Sequence, residues 1–271
     1  MSLRLLHFTD VHFGIEHKSA VEAAVAYSHD AKPDLVVVSG DITQKGYPRE
    51  FRAATEWLKR LPAPQITCPG NHDVPYHDLL GRVAYPWARF DKFVGPHWRH
   101  GTTLPGLAVQ SMSSARGLQL RLNWSKGVMD LSDVDTAVQR LQQAPGDALR
   151  VFVVHHPLVE VTGGPMTGEV KRGKDAAVKL CEGGVDLIMS GHIHAPFAYR
   201  LPYGDGATIA TGASTLSLRE RGAAPGFNQL EVDDDTVVVK AIAWRGDRFE
   251  TERTWALPRR ERTAKRPAQA A

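Results

Sequence analysis

Short apolar runs alternate with amphipathic stretches along most of the chain. LRLLHFTD (residues 3–10) reads as a strand, and Ala20 to Ser28 as a helix. DLVVVSGD (34–41) is an unbroken apolar run, the signature of a strand buried on both faces. PREFRAATEWLKRL (48–61) is a helix opened by Pro48, with Phe51, Ala54, Trp57, Leu58 and Leu61 on one face. QITCPG (65–70) is the next strand, followed by a looser segment over 75–105. GLAVQSM (106–112), LRVFVVHH (149–156) and VDLIMSGH (185–192) are further strands. Between them lie helices over LSDVDTAVQRL (131–141), with Ser132 as the expected N-cap, and KDAAVKLCEGG (174–184), stopped by glycines. From Pro196 onward the pattern changes. FAYRLPYG, ATIATGAS, GFNQLEVDDD and TVVVKAIAW read as antiparallel strands joined by Gly and Asp turns. This order predicts one α/β domain with a β-rich back end, and two packed sheets with helices outside accommodate it.

Composition adds little and excludes much. The 271 residues are 42% hydrophobic and 23% charged, ordinary values for a chain that buries a real core. No apolar run reaches the length of a membrane span. The opening MSLRLLHFTDVHFG enters a strand pattern without the apolar region of a signal peptide, so a cytoplasmic location is expected. Two distant cysteines, Cys68 and Cys181, give no disulfide framework and no thiolate metal site. The net charge of +3 is local: residues 258–271 hold five basic side chains and one acidic, or +4, leaving about −1 for residues 1–257. Residues 1–257 are therefore read as the folded domain and 258–271 as a basic, disordered tail. A near-neutral body speaks against a long nucleic-acid groove.

Chemistry appears where the strands end. FTDVH puts Asp10 and His12 after the first strand, VSGDI puts Asp41 after the second, and PGNHD puts Asn71, His72 and Asp73 after the third. VVHHP adds His155, and SGHIH adds His192 and His194. In open α/β sheets, ligands bind outside the carboxyl ends of the strands. Each segment alone is as easily a turn. Together they bring three carboxylate or amide oxygens and four or five imidazoles to one edge of one sheet. Histidine and aspartate without cysteine suit Mn, Fe, Zn, Co or Ni. The ligand count suits two ions: Asp10, His12, Asp41 and His194 for one, Asp41, Asn71, His155 and His192 for the other, with Asp41 as the bridge. Such pairs clamp an in-line displacement at phosphorus. Gly40, Gly70 and Gly191 are expected to let the backbone turn sharply before each ligand.

The series DVH, GD, GNHD, HHP and GHIH resembles, in order and spacing, the five-part signature of the calcineurin-like metallophosphoesterases across residues 3–200. DVHFG, GDITQKGYPREF, SSARG (113–117) before NWSKGVMDLSDVD, and GFNQLEV are similar to the class III cyclic-nucleotide phosphodiesterase branch. The resemblance implies a four-layer α/β/β/α sandwich of two mixed sheets, a dinuclear Fe–Mn or Mn–Mn centre with the ligands named above, and a small phosphate-ester substrate. Relatives of that branch are often dimers, although no dimer interface is visible in the sequence. On this reading a metal-bridging hydroxide attacks phosphorus. His72 stabilises the developing charge or protonates the leaving oxygen. Asp73 either orients His72 through a hydrogen bond or caps the turn. Competing readings keep the chemistry and change the substrate to a glycerophosphodiester, a nucleotide-sugar pyrophosphate or a monoester. A non-catalytic scaffold is remote, because every metal position is filled.

Other candidates are weaker. His156 is expected to point away from the centre. His17 is placed near substrate, and Arg116 either reaches a phosphate or holds a turn. VTGGPMTGEVKRGK (161–174) is either a wall of the cleft or a surface loop. His7, His29, His77, His97 and His100 are read as surface or satisfied core residues.

Overall fold

The computed structural model describes residues 2–95, 101–120, 123–160 and 170–261; His97, His100, most of the 161–174 loop and residues 262–271 lie outside the described residues. In chain order the elements are β1 (Leu3–Phe8), α1 (Lys18–Ala31), β2 (Leu35–Val38), α2 (Pro48–Arg60), β3 (Gln65–Thr67), α3 (Leu79–Ala84), α4 (Ala88–Phe93), β4 (Thr102–Leu104), β5 (Leu107–Met112), α5 (Leu131–Gln142), β6 (Leu149–Val154), α6 (Gly173–Glu182), β7 (Leu187–Ser190), β8 (Phe197–Arg200), β9 (Ile209–Gly212), β10 (Gly226–Val232), β11 (Thr236–Trp244) and β12 (Phe249–Pro258).

The strands form two six-stranded mixed sheets, in the orders β12-β11-β10-β1-β2-β3 and β4-β5-β6-β7-β9-β8. Period-two alternation on continuously apolar strands is what stacks them. Leu5, Val37 and Ile66 of the first sheet face Val109, Val151, Val153, Leu187 and Met189 of the second. The intervening residues Leu6, Phe8, Val36 and Val38 turn outward onto Ala24, Phe51, Trp57 and Leu58 of α1 and α2. On the far side, Phe152, Val154 and Ile188 meet Val134, Ala137, Ala176 and Leu180 of α5 and α6. The result is the four-layer α/β/β/α sandwich.

Several expectations need correcting. β9 is not part of an antiparallel run: it pairs parallel to β7 and antiparallel only to β8. β12 carries no apolar alternation and is mostly exposed. It is an edge strand whose charges suit an unpaired margin. The cap of α5 is Asp130, whose carboxylate accepts from Ser132 N and Oγ. The looser segment holds two short helices and a strand. Residue 258 does not open the expected tail, because Pro258 closes β12. Arg259 donates to the carbonyls of Asp147 and Asp233, and Arg260 lies against Asp186 and Asp205.

His7 illustrates how the interior treats titratable groups. It is fully buried on β1, with Nε2 bonded to Ser39 Oγ at 2.8 Å. Burial lowers its pKa to about 3, against the pull of Asp10. The unfolded chain takes up a proton near 6.5 and the folded chain not until about 3. Stability therefore falls as the pH drops through 6.5 and goes on falling towards 3. Between pH 7 and pH 5 this residue should remove about 2 kcal/mol. Urea titrations of metal-free protein at both pH values should show a smaller drop for His7→Gln than for the native chain. Equal drops would exclude this source of acid sensitivity.

Candidate metal centre

Five ends of strands meet over the carboxyl edges of both sheets. Asp10, His12, Asp41, Asn71 and His72 follow β1, β2 and β3 of one sheet, while His155, His192 and His194 follow β6 and β7 of the other. The expectation of one edge of one sheet is thus replaced by a seam between two. Each apolar strand ends in a turn, and the polar residue just beyond it is aimed at the seam.

The turns are made by the candidate ligands themselves. Asp10, His12, Asp41, His192 and His194 have φ between 50° and 68°, and they are five of the seven non-glycine residues in left-handed backbone among the described residues. Each such residue costs about 1 kcal/mol or more, strain that collects at functional sites. Gly40 shares this geometry at φ 92°. Gly70 and Gly191 do not, and serve instead as space. A Cβ at Gly70 would overlap Asp41 Oδ1, and one at Gly191 would overlap Thr9 Oγ1.

Four overlapping groups bring ligand atoms within 4.8 Å of one another: Asp10, His12 and His194; Asp10, Asp41 and His155; His12, Asp41 and His72; and His155, His156 and His192. Asp41 belongs to two of them. Its Oδ1 accepts from His72 N at 2.7 Å, while its Oδ2 lies 3.2 Å from His155 Nε2 and 3.9 Å from His12 Nε2. Asp10 Oδ2 accepts from Thr9 Oγ1 and His192 N, each at 2.7 Å, which turns Oδ1 towards His194 and His12.

The tautomers decide whether a cation fits. His155 Nδ1 lies 2.8 Å from Ser39 O, and a carbonyl only accepts, so Nδ1 carries the proton. Its Nε2 lone pair then faces Asn71 Oδ1 and Asp41 Oδ2, both at 3.2 Å. His194 Nδ1 likewise donates to Arg219 O at 2.6 Å, and its Nε2 faces Asp10 Oδ1 at 3.1 Å and His12 Nε2 at 3.3 Å. The Nε2 lone pairs of His155 and His194 each face a carboxylate oxygen, and among the described ring nitrogens between them only His12 Nε2, whose tautomer no partner fixes, has a proton to offer. A cation satisfies both, and the backbone carbonyls orient the imidazoles as metal ligands are commonly oriented. His12 departs from that arrangement, since its Nδ1 is buried without a hydrogen-bond partner among the described residues. Electrostatics point the same way. Burial pulls the His155 pKa down, but Asp41 and then Asp10 outweigh it and raise the value to about 9. Burial likewise opposes ionisation of Asp41, and His155 and His72 overcome it, holding the carboxylate well below its usual range. Positive charge is favoured at His155 beside Asp41, whereas burial lowers the His12 pKa to about 3 and holds His192 well below the usual imidazole range, so those rings stand neutral.

Two neighbours are not ligands. His156 does not point away: its ring lies 4.4 Å from that of His192. Both nitrogens are nonetheless committed, Nε2–H to Ser125 O and Nδ1 to Ser114 Oγ, each at 2.7 Å. Burial, then the proximity of His155, lowers its pKa to about 3, so it packs as a neutral ring. Asp73 makes no contact with the His72 imidazole. Its carboxylate accepts from Gly70 N, Thr43 N, Thr43 Oγ1 and Ile42 N, and it caps the turn.

His72 is held elsewhere. Nδ1–H donates to Gln44 O at 2.7 Å, and Nε2 accepts from Arg219 Nη1 at 2.9 Å. His17 caps α1, accepting from Ala20 N, and Arg116 donates to the carbonyls of Ser113 and Ala115. Arg219 and Gln44 are the site residues that sequence reasoning missed. The only signal for Arg219 was a pair of arginines, Arg219 and Arg221, two apart in a turn after an apolar strand.

A model of the calcineurin-like phosphoesterase family matches residues 3–196. The chain belongs to that family. This calcineurin-like phosphoesterase is a hydrolase of phosphate esters, and its buried His and Asp clusters suit the divalent metals the family implies. It is similar over 259 residues, at 25% identity, to a probable cyclic nucleotide phosphodiesterase of Synechococcus, covering 90% of this chain and 93% of that one. It is 22% identical over 264 residues to the 3',5'-cyclic adenosine monophosphate phosphodiesterase CpdA of Escherichia coli K12, covering 89% of each. Among solved structures, a dimetal phosphatase from Danio rerio shares the fold, with a TM-score of 0.68 at 10% identity over 94% of this chain and 98% of that one. Among the described residues no helix is long and apolar enough to cross a membrane.

Proposed function

We propose that this phosphoesterase is a two-metal phosphodiesterase whose substrate is a 3',5'-cyclic nucleotide. One observation supports the metal count above all others: Asp41 stands between two convergent sets of lone pairs, with Oδ2 turned towards both His155 and His12. Asp10, His12, Asp41 and His194 would hold one ion, and Asp41, Asn71, His155 and His192 the other. Manganese or iron suits these donors, with zinc, cobalt or nickel as further fits. Two such ions supply a nucleophile at neutral pH and a clamp on phosphoryl oxygens.

The remaining work falls to the chain's own groups. Asn71 contributes a neutral oxygen. Asp73 fixes the turn that carries Asn71 and His72. Gln44 O holds the proton of His72 on Nδ1, leaving Nε2 to face the substrate as a neutral base or, once protonated, as an acid for the leaving oxygen. His156, bonded at both nitrogens, backs His192 without entering the chemistry. The substrate reading is supported by similarity along nine-tenths of the chain to relatives named for cyclic nucleotides.

The test is turnover of cyclic AMP beside bis(p-nitrophenyl) phosphate by metal-stripped protein, before and after manganese. Manganese-dependent hydrolysis of both is expected. Hydrolysis of the activated diester alone would overturn the cyclic-nucleotide reading and move the substrate to another ester. Hydrolysis of neither would remove the diesterase.

A further inference from the structure

We propose that Arg219 is a substrate-contacting residue, whose guanidinium donates to a non-bridging phosphoryl oxygen beside His72; this rests on the two-metal reading above. Arg219 sits in the turn after β9, outside every motif that carries the metal ligands. Its Nη1 lies 2.9 Å from His72 Nε2, the ring atom left for substrate once Nδ1–H is committed to Gln44 O. The arginine therefore stands where the phosphate must arrive.

The turn that carries it is rigidly attached. Arg219 N donates to Ser217 Oγ, and Thr215 Oγ1 bonds both Ser217 Oγ and the carbonyl of Asp10. Arg219 O accepts from His194 Nδ1 at 2.6 Å. One residue thus joins His72, from the first sheet, to His194, from the second. Any shift of its backbone would disturb the centre, and the guanidinium is held at its far end by His72 Nε2.

The chemistry of the pair calls for an anion. Among the described residues, no carboxylate lies within ion-pair distance of Arg219 or Arg221. A guanidinium against a neutral imidazole uses one of five donors, and its planar fork matches two phosphate oxygens. Arg221 Nη1 donates to His192 O at 3.2 Å, adding a second cation on the same rim. The ligand class is a tetrahedral phosphoryl oxyanion, bound on its non-metal side.

The experiment is calorimetric binding of inorganic phosphate to manganese-loaded protein, with manganese content measured on the same samples. Arg219→Ala keeps the carbonyl that orients His194, so its manganese should match the native chain while phosphate binds about 10- to 100-fold more weakly, the loss of a charge-assisted hydrogen bond. Arg219→Lys keeps the charge without the fork and should fall between the two. It carries the test if the alanine variant proves unstable. Native phosphate affinity in a variant with full manganese overturns the role of Arg219 alone. A native chain that takes up manganese and binds no phosphate overturns the two-metal phosphodiesterase reading, and Arg219 with it.

Discussion

Asp41→Ala is expected to abolish metal uptake and diester turnover together. Asp41 is almost fully buried and is shared by two of the clusters. Its Oδ2 is the oxygen common to His155 and His12, so its loss takes a ligand from both halves at once. The loss also leaves His155 Nε2 facing Asn71 alone and strips His72 N of its acceptor. Both effects loosen the turns after β3 and β6. Loss of the charge stabilisation two ions provide is worth several kcal/mol, on the order of 10³-fold or more in turnover. Manganese content and hydrolysis of bis(p-nitrophenyl) phosphate, read on one preparation, check this. A variant that retained both ions would show that Asp41 is not the bridge.

His72→Ala is expected to do the opposite with metal and the same with turnover. The contact from this residue to Asp41 comes from its backbone N–H, which alanine keeps. The residue is partly buried and its ring nitrogens go to Gln44 O and Arg219. Manganese content should therefore stay native. Turnover of a poorly activated diester should fall about 10²- to 10⁴-fold, the range for losing a general acid or an oxyanion donor. The deficit should shrink for a diester with a good leaving group if His72 acts as the acid. Near-native turnover of the poor substrate would remove His72 from the mechanism. Loss of one manganese would make it a ligand.

What the sequence makes legible follows from how the site is built. Asp10, Asp41, Asn71, His155 and His192 each lie within a few residues of an apolar strand, so periodicity locates the strand end and the polar residue marks the turn. Asp73 was harder to read. Neighbours in a tight turn project differently, and its carboxylate goes back to Thr43 and Gly70 while His72 goes out to Gln44. The expected outward turn of His156 fails for a related reason: two serines from a distant loop, Ser114 and Ser125, supply partners that no local pattern announces. Arg219 comes from 25 positions beyond His194 and reaches His72 only because β9 runs parallel to β7, a pairing hidden in a short segment. β12 escaped because an exposed edge strand need not alternate. The layers themselves were legible, since inward and outward residues of β1 and β2 divide cleanly between two cores.

The most direct measurement is the number of manganese ions that metal-stripped protein binds at saturation. Two per chain, with both lost in Asp41→Ala, is the predicted result. One or none per chain would contradict a two-metal centre, whatever the protein hydrolyses.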